Sequence, residues 1–171
     1  MTKGRASVAS VASVVTGVVD RDFIRVGHSR IQGRGVFAKR KIPKGARIIE
    51  YVGARVPLAN LLTVVTDGPP APVYTFRLNA TMVIDGTRGG NDSRFINHSC
   101  EPNCETYNFD DHMYVYAMRD IVRGEELTFD YKLGSTGGRR SAKRERIDLA
   151  CRCGAATCRG TMAAPRRRRA R

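Results

Sequence analysis

The chain of 171 residues is 42% apolar and holds 17 Gly and 7 Pro, which suits one compact domain of about 100 to 200 residues with modest tails, built from short elements and turns. Its formal charge is +14, with an isoelectric point near 10.3, yet residues 132–171 hold thirteen Lys or Arg against Glu145 and Asp148, so +11 of the total sits there. The body is nearly balanced, which moves the strong field onto a C-terminal segment able to attract a nucleic acid or an acidic partner.

In chain order, residues 1–20 read as a flexible leader. Lys3 and Arg5 precede a run of small residues and Val with no Leu, Ile or Phe before Phe23, a poor core for a secretion signal and too short to span a bilayer, so no membrane contact is expected. Runs rich in Val, Ile, Phe and Tyr, bounded by Gly, Pro or Asp, predict strands at 23–26, 35–38, 47–52, 73–78, 82–85, 113–118 and 126–131. Between them, residues 53–72 read as a short variable insert, with one or two helical turns around Leu58, Leu61 and Leu62 and a turn at Asp67-Gly68-Pro69-Pro70. Gly, Ser and Thr at 134–138 open a basic linker spanning 133–150, which can be helix or coil, and an Arg-rich tail closes the chain at 165–171. No internal repeat is apparent. The pattern predicts a mainly β domain of several small curled sheets.

The five cysteines are an odd number, which argues against a disulfide framework and for reduced thiols in an intracellular setting, cytoplasmic in a bacterium or nuclear in a eukaryote. Three of them, Cys151, Cys153 and Cys158, fall within eight residues. Structural zinc takes four ligands in a tetrahedron, so three local thiols require a fourth from elsewhere.

Three further strings carry chemistry. Gln32-Gly33-Arg34-Gly35 spaces two glycines so that backbone N–H and C=O groups can approach a ligand, or simply turn a hairpin. Arg94-Phe95-Ile96-Asn97-His98-Ser99-Cys100 contains an Asn-His pair that is costly to bury unless both side chains find hydrogen-bond partners. Gly124 to Tyr131 ends in Phe129-Asp130-Tyr131, where alternate aromatics share one side of a strand and can line one cavity.

These blocks, in order with Ile49-Glu50-Tyr51-Val52-Gly53, Tyr74-Thr75-Phe76-Arg77 and the terminal Cys-x-Cys-x4-Cys, resemble the SET-domain protein lysine methyltransferases, particularly the trithorax-like branch with its post-SET zinc motif. The resemblance covers about residues 23 to 161. It implies a SET-domain β-clip fold with a C-terminal pseudoknot, a catalytic domain over 21–132 and a post-SET zinc segment over 151–164. It also implies S-adenosyl-L-methionine as methyl donor and a lysine-bearing protein, histone, histone-like or otherwise basic, as substrate.

Residue by residue, the resemblance makes Tyr131 the principal catalytic group, with Tyr74 and Phe129 beside it in a lysine channel. Gln32, Gly33, Arg34, Gly35, Tyr51, Tyr74, Arg94, Asn97, His98 and Arg152 fall at cofactor-binding positions. Gln32 stands where a histidine is frequent, and Arg152 where an asparagine is. Cys100 becomes the fourth ligand of a structural Zn2+ with Cys151, Cys153 and Cys158, leaving Cys104 as a buried, inert thiol. Phe129, at a position where Tyr restricts relatives to one methyl, implies di- or trimethylation. An alternative reading is a catalytically silent SET-like module that binds a lysine-bearing tail or nucleic acid through its basic end.

Overall fold

The structure is a computed structural model that describes residues 23–61, 74–133 and 149–165. The leader at 1–20, residues 62–72 of the insert, most of the 133–150 linker and residues 166–171 of the tail lie outside the described residues.

Among the described residues, ten short strands form two sheets: β1 (Ile24–His28), β2 (Arg34–Ala38), β3 (Arg47–Tyr51), β4 (Ala54–Pro57), β5 (Thr75–Arg77), β6 (Met82–Asp85), β7 (Asn97–His98), β8 (Cys104–Phe109), β9 (His112–Ala117) and β10 (Glu126–Phe129). A short helical turn, α1 (Leu58–Leu61), and a 3-10 turn at Asp92–Phe95 accompany them among the described residues. The larger sheet runs β1-β2-β10-β8-β9-β3, with β7 also paired to β10; the smaller runs β4-β6-β5. All seven predicted strands are present, while β4, β7 and β8 add to the expectation.

Local chemistry explains the turns. The β8–β9 hairpin closes through Asp110 and Asp111, both left-handed with φ of 50° and 58°, the geometry of a tight two-residue turn that Asp tolerates better than most side chains. Asn79 Oδ1 accepts the backbone N–H groups of Thr81 and Met82 at 3.0 and 2.9 Å, folding the β5–β6 connection.

Contrary to expectation, the chain carries an internal repeat. Val36-Phe37-Ala38, Arg40, Ile42 and Lys44-Gly45 recur as Val115-Tyr116-Ala117, Arg119, Ile121 and Arg123-Gly124. The two copies face each other: Ile42 and Ile121 exchange both backbone hydrogen bonds at 2.9 Å, and Gly45 N–H to Ala117 O mirrors Gly124 N–H to Ala38 O, both 2.8 Å. Both glycines hold positive φ, 79° and 87°. Ile42 and Ile121 are completely buried in the main core with Val36, Ile48, Val115 and Leu127, each such side chain contributing roughly 1.5–3 kcal/mol through removal from water.

β10 runs across this core, contributing Leu127 and Phe129 to it. β10 pairs antiparallel with β2 on one side and parallel with β7 and β8 on the other. Its continuation, Tyr131, donates its hydroxyl to the Ile96 carbonyl at 2.8 Å. The C-terminal strand is thereby lodged against the Asn97–His98 segment, the crossing expected of the pseudoknot.

Candidate active site and thiol cluster

Alternation along β5 and β10 converges aromatic rings on one region. Tyr51, Phe76, Phe129, Tyr131 and His98 form a continuous chain, with ring centroids 5.2, 5.7, 5.0 and 5.3 Å apart in that order. Tyr74 joins from β5's flank, edge-on to Phe95 at 5.5 Å. Burial, followed by the neighbouring Tyr51 and Tyr74 and by Glu126, pushes the Tyr131 phenol far above its ordinary range, so it stays protonated. Tyr51 is raised likewise, by burial first and then by Asp85. Phe76 belongs to this lining although sequence reasoning gave it no role; its alternation with Tyr74 was the available signal.

Arg94 frames the same region. Its guanidinium lies over the Tyr74 and Phe95 rings at 5.9 and 4.7 Å and donates through Nη1 to the Gly86 carbonyl at 3.0 Å, while Nε is buried without a partner. The Arg34 guanidinium also lies over the Phe95 ring, at 3.8 Å.

Asn97 is held by a polar network that the motif did not reveal. Its amide Nδ2 donates toward the Arg34 carbonyl at 2.9 Å, Glu126 Oε1 at 2.8 Å and Ser29 Oγ at 3.1 Å. Ser29 Oγ in turn donates to Glu126 at 2.7 Å and accepts the Ile31 N–H at 3.0 Å, shaping the turn that carries Gln32 and Gly33. The two glycines of that motif differ. A Cβ on Gly35 would collide with the Glu126 carboxylate and stand 2.9 Å from Ser29 Cβ, so this glycine serves internal packing. Gly33, with φ of +43° and nothing within 4 Å of its Cβ position, opens a face that a ligand can approach. Gln32 and Arg34 are exposed beside it.

His98 is buried between the aromatic chain and the thiols. Its Nδ1 accepts the Tyr131 backbone N–H at 3.1 Å, and its Nε2 lies 3.5 Å from Cys100 Sγ. Burial lowers the imidazole below its ordinary value; Asp130, whose Oδ1 is 3.6 Å from Nδ1, opposes that, and Arg159 adds to it.

Cys100, Cys151, Cys153 and Cys158 place their sulfurs within 4.8 Å of one another. A tetrahedron with metal–sulfur bonds of about 2.3 Å has edges of roughly 3.8 Å, and Cys100 Sγ lies 3.7 Å from Cys151 Sγ and 3.9 Å from Cys158 Sγ. Every sulfur also accepts a backbone N–H: Arg159 to Cys100, Cys153 to Cys151, Cys100 to Cys153 and Gly160 to Cys158, at 3.4 to 3.5 Å. Burial raises the Cys100 and Cys151 thiols, whereas at Cys153 the Cys100 and Ala155 N–H groups and the neighbouring thiols outweigh burial and lower it, so the four share charge as a set. The donor set, spacing and charge compensation fit a closed structural zinc site. Cys104 stands apart at 1% exposure, its thiol pushed up to about 12 by burial. Arg152 is exposed, between Cys151 and Cys153 in sequence.

A fold of small curved sheets, a β10 lodged on Asn97–His98 and a C-terminal four-thiol cluster define the SET-domain class, and the family's profile matches residues 33–132, described as the SET domain. The chain belongs to the SET-domain family. It is 40% identical over 145 residues to histone-lysine N-methyltransferase 2B of Homo sapiens, covering 81% of this chain and 5% of that protein. It is 39% identical over 150 residues to histone-lysine N-methyltransferase ATX2 of Arabidopsis thaliana, covering 83% and 13%. To histone-lysine N-methyltransferase trithorax of Drosophila melanogaster it is 37% identical over 145 residues, covering 81% and 4%. The chain thus spans a small part of each of these curated relatives. No helix among the described residues is long and apolar enough to cross a membrane.

Proposed function

We propose that this chain is an S-adenosylmethionine-dependent protein lysine N-methyltransferase acting on a histone or another basic protein. The observation that carries the reading is the half-buried Tyr131 phenol, tied to the Ile96 carbonyl and set between the Phe129 and His98 rings. S-adenosylmethionine supplies an electrophilic methyl on a sulfonium; the open face at Gly33 and the network around Asn97 are where it fits.

The chain's own groups do the rest. A lysine ammonium, with a reference pKa of ~10.4, has no lone pair, and an aromatic, water-poor channel favours the neutral amine. Tyr74, Phe76, Phe129 and Tyr131 form that channel, and Tyr131 orients the amine through its phenol oxygen. Collinear alignment of the amine with the methyl is the main source of rate, so the walls act by holding the amine in place. Asn97, His98, Arg94, Tyr51 and the Gln32-Gly33-Arg34 turn bind the donor, with Gly35 packing beneath that turn and Arg152 at the rim. Phe129 brings no hydroxyl to the amine and leaves space for a methylated nitrogen, which supports di- or trimethylation.

In this reading residues 21–132 are the catalytic domain, 53–72 its variable insert, and 151–164 the zinc segment that walls the pocket. The basic linker and tail, 133–150 and 165–171, are the region through which an acidic or nucleic-acid partner would add affinity. The test is incubation with labelled S-adenosylmethionine and a panel of basic proteins. Methyl groups on lysine, absent with Tyr131→Phe, support the reading; no transfer to any lysine by the zinc-loaded wild type rejects it.

A further inference from the structure

Arg159 performs two tasks at once. Its backbone N–H donates to Cys100 Sγ at 3.4 Å, and its guanidinium Nη2 donates to Asp130 Oδ1 at 2.8 Å. The pair is largely shielded, with side-chain exposures of 26% and 14%. Asp130 lies between Phe129 and Tyr131, its Oδ1 also accepts the Lys132 N–H at 3.2 Å, and the same oxygen faces His98 Nδ1 at 3.6 Å.

That last geometry needs a cation. His98 Nδ1 accepts the Tyr131 N–H, so it presents a lone pair, and a carboxylate oxygen beside a lone pair is repulsive unless its charge is engaged elsewhere. The Arg159 guanidinium engages it. Other contacts of the C-terminal segment with the body near this point include the backbone pairing of Leu133 with Met162 and Ala164, the Cys100 N–H donated to Cys153 Sγ, and the exposed Thr157 bonds to Glu101.

We propose that Arg159 is a positioning residue whose ion pair with Asp130 clasps the thiol segment onto the end of β10 and keeps the Tyr131 backbone seated on His98. Metal binding gathers the four sulfurs, and the clasp transmits that closure to the pocket. The consequence for the methyl donor rests on the methyltransferase reading; the clasp itself does not.

The full-length, zinc-loaded chain is compared with Arg159→Ala, Arg159→Lys, Asp130→Asn and the Arg159→Ala/Asp130→Asn double variant. Zinc content, hydrogen exchange over 98–101, 131–133 and 149–165, S-adenosylmethionine affinity by calorimetry, and kcat at saturating donor are measured. The expected result for Arg159→Ala is one zinc per chain, faster exchange in all three segments, affinity weakened about tenfold or more, and a smaller fall in kcat at saturating donor. Arg159→Lys recovers part of the affinity, and the double variant is no worse than either single change because one interaction is removed once.

Unchanged exchange and affinity in a variant that retains zinc overturn the proposal. If Arg159→Ala loses zinc, Asp130→Asn decides, since Asp130 is remote in sequence from every thiol: wild-type exchange there also overturns it. A wild type that binds no S-adenosylmethionine removes the methyltransferase reading, and the exchange data then judge the clasp alone.

Discussion

The Asn97 side-chain amide donates to the Glu126 carboxylate at 2.8 Å, joining β7 to the start of β10. Glu126 also accepts from Ser29, so one carboxylate orients both the asparagine of the central motif and the turn bearing Gly33. Glu126→Ala takes the acceptor from the Ser29 hydroxyl and one of three from the Asn97 amide, and should destabilise the domain by about 1–3 kcal/mol in urea unfolding, with Glu126→Gln losing less. Donor affinity should fall in the same order.

The glycines of the same turn should separate packing from binding. Gly35→Ala places a methyl into the Glu126 carboxylate and against Ser29, and thermal unfolding should show a loss of about 1–3 kcal/mol. Gly33→Ala meets no neighbour but holds φ at +43°, so its stability cost should be about 1 kcal/mol, with the larger effect on S-adenosylmethionine affinity.

Chelation should act locally. Three of the four thiols lie in residues 149–165, and the main core from Ile24 to Phe129 contains none of the four. Removing zinc should abolish exchange protection in 149–165 while the strands keep theirs, and cobalt substitution should give the charge-transfer absorption of tetrathiolate coordination. Because the ligands bind as thiolates, metal affinity should fall as pH falls.

Glu125 should contribute to the acid limb of stability. Burial alone would raise its carboxyl, but the Arg119 guanidinium, the Asn103 amide and the Val122 N–H together hold it below the ordinary value. Its contribution is therefore present above the unfolded value of about 4.3 and lost as pH falls through the lower folded value. Urea midpoints measured between about pH 6 and 3 should fall less steeply for Glu125→Gln than for wild type.

Phe129 should set the degree of methylation. Its ring packs 5.0 Å from Tyr131 and 5.7 Å from Phe76, and Phe129→Tyr adds a hydroxyl into that space. Mass spectrometry at exhaustive turnover should find di- or trimethyl-lysine with wild type and a shift toward monomethyl-lysine with the variant. Monomethyl-lysine alone from wild type would contradict the role assigned to Phe129.

Much of the fold was legible because apolar runs mark buried strands. β4 escaped because Arg55 and Pro57 make it an edge strand of the smaller sheet, and β8 because its outer half, Tyr107 to Phe109, is exposed and shows no apolar run. The repeat escaped because its identities alternate with dissimilar residues, and only the facing Ile42 and Ile121 make its symmetry plain. Within the site, Tyr131, Asn97 and His98 stood in recognisable strings, and three thiols announced themselves by spacing. Ser29, Glu126 and the Asp130–Arg159 pair did not, because each acquires its role from a partner distant in sequence, which only the folded chain brings into contact.

The most direct measurement is calorimetric titration of S-adenosylmethionine into the zinc-loaded chain, alongside methyl transfer by the same samples. The account predicts one donor bound per wild-type chain, binding lost with Asn97→Ala, and binding kept but transfer lost with Tyr131→Phe. A wild type that takes up no donor, or a Tyr131→Phe variant that still methylates lysine at the wild-type rate, would contradict it.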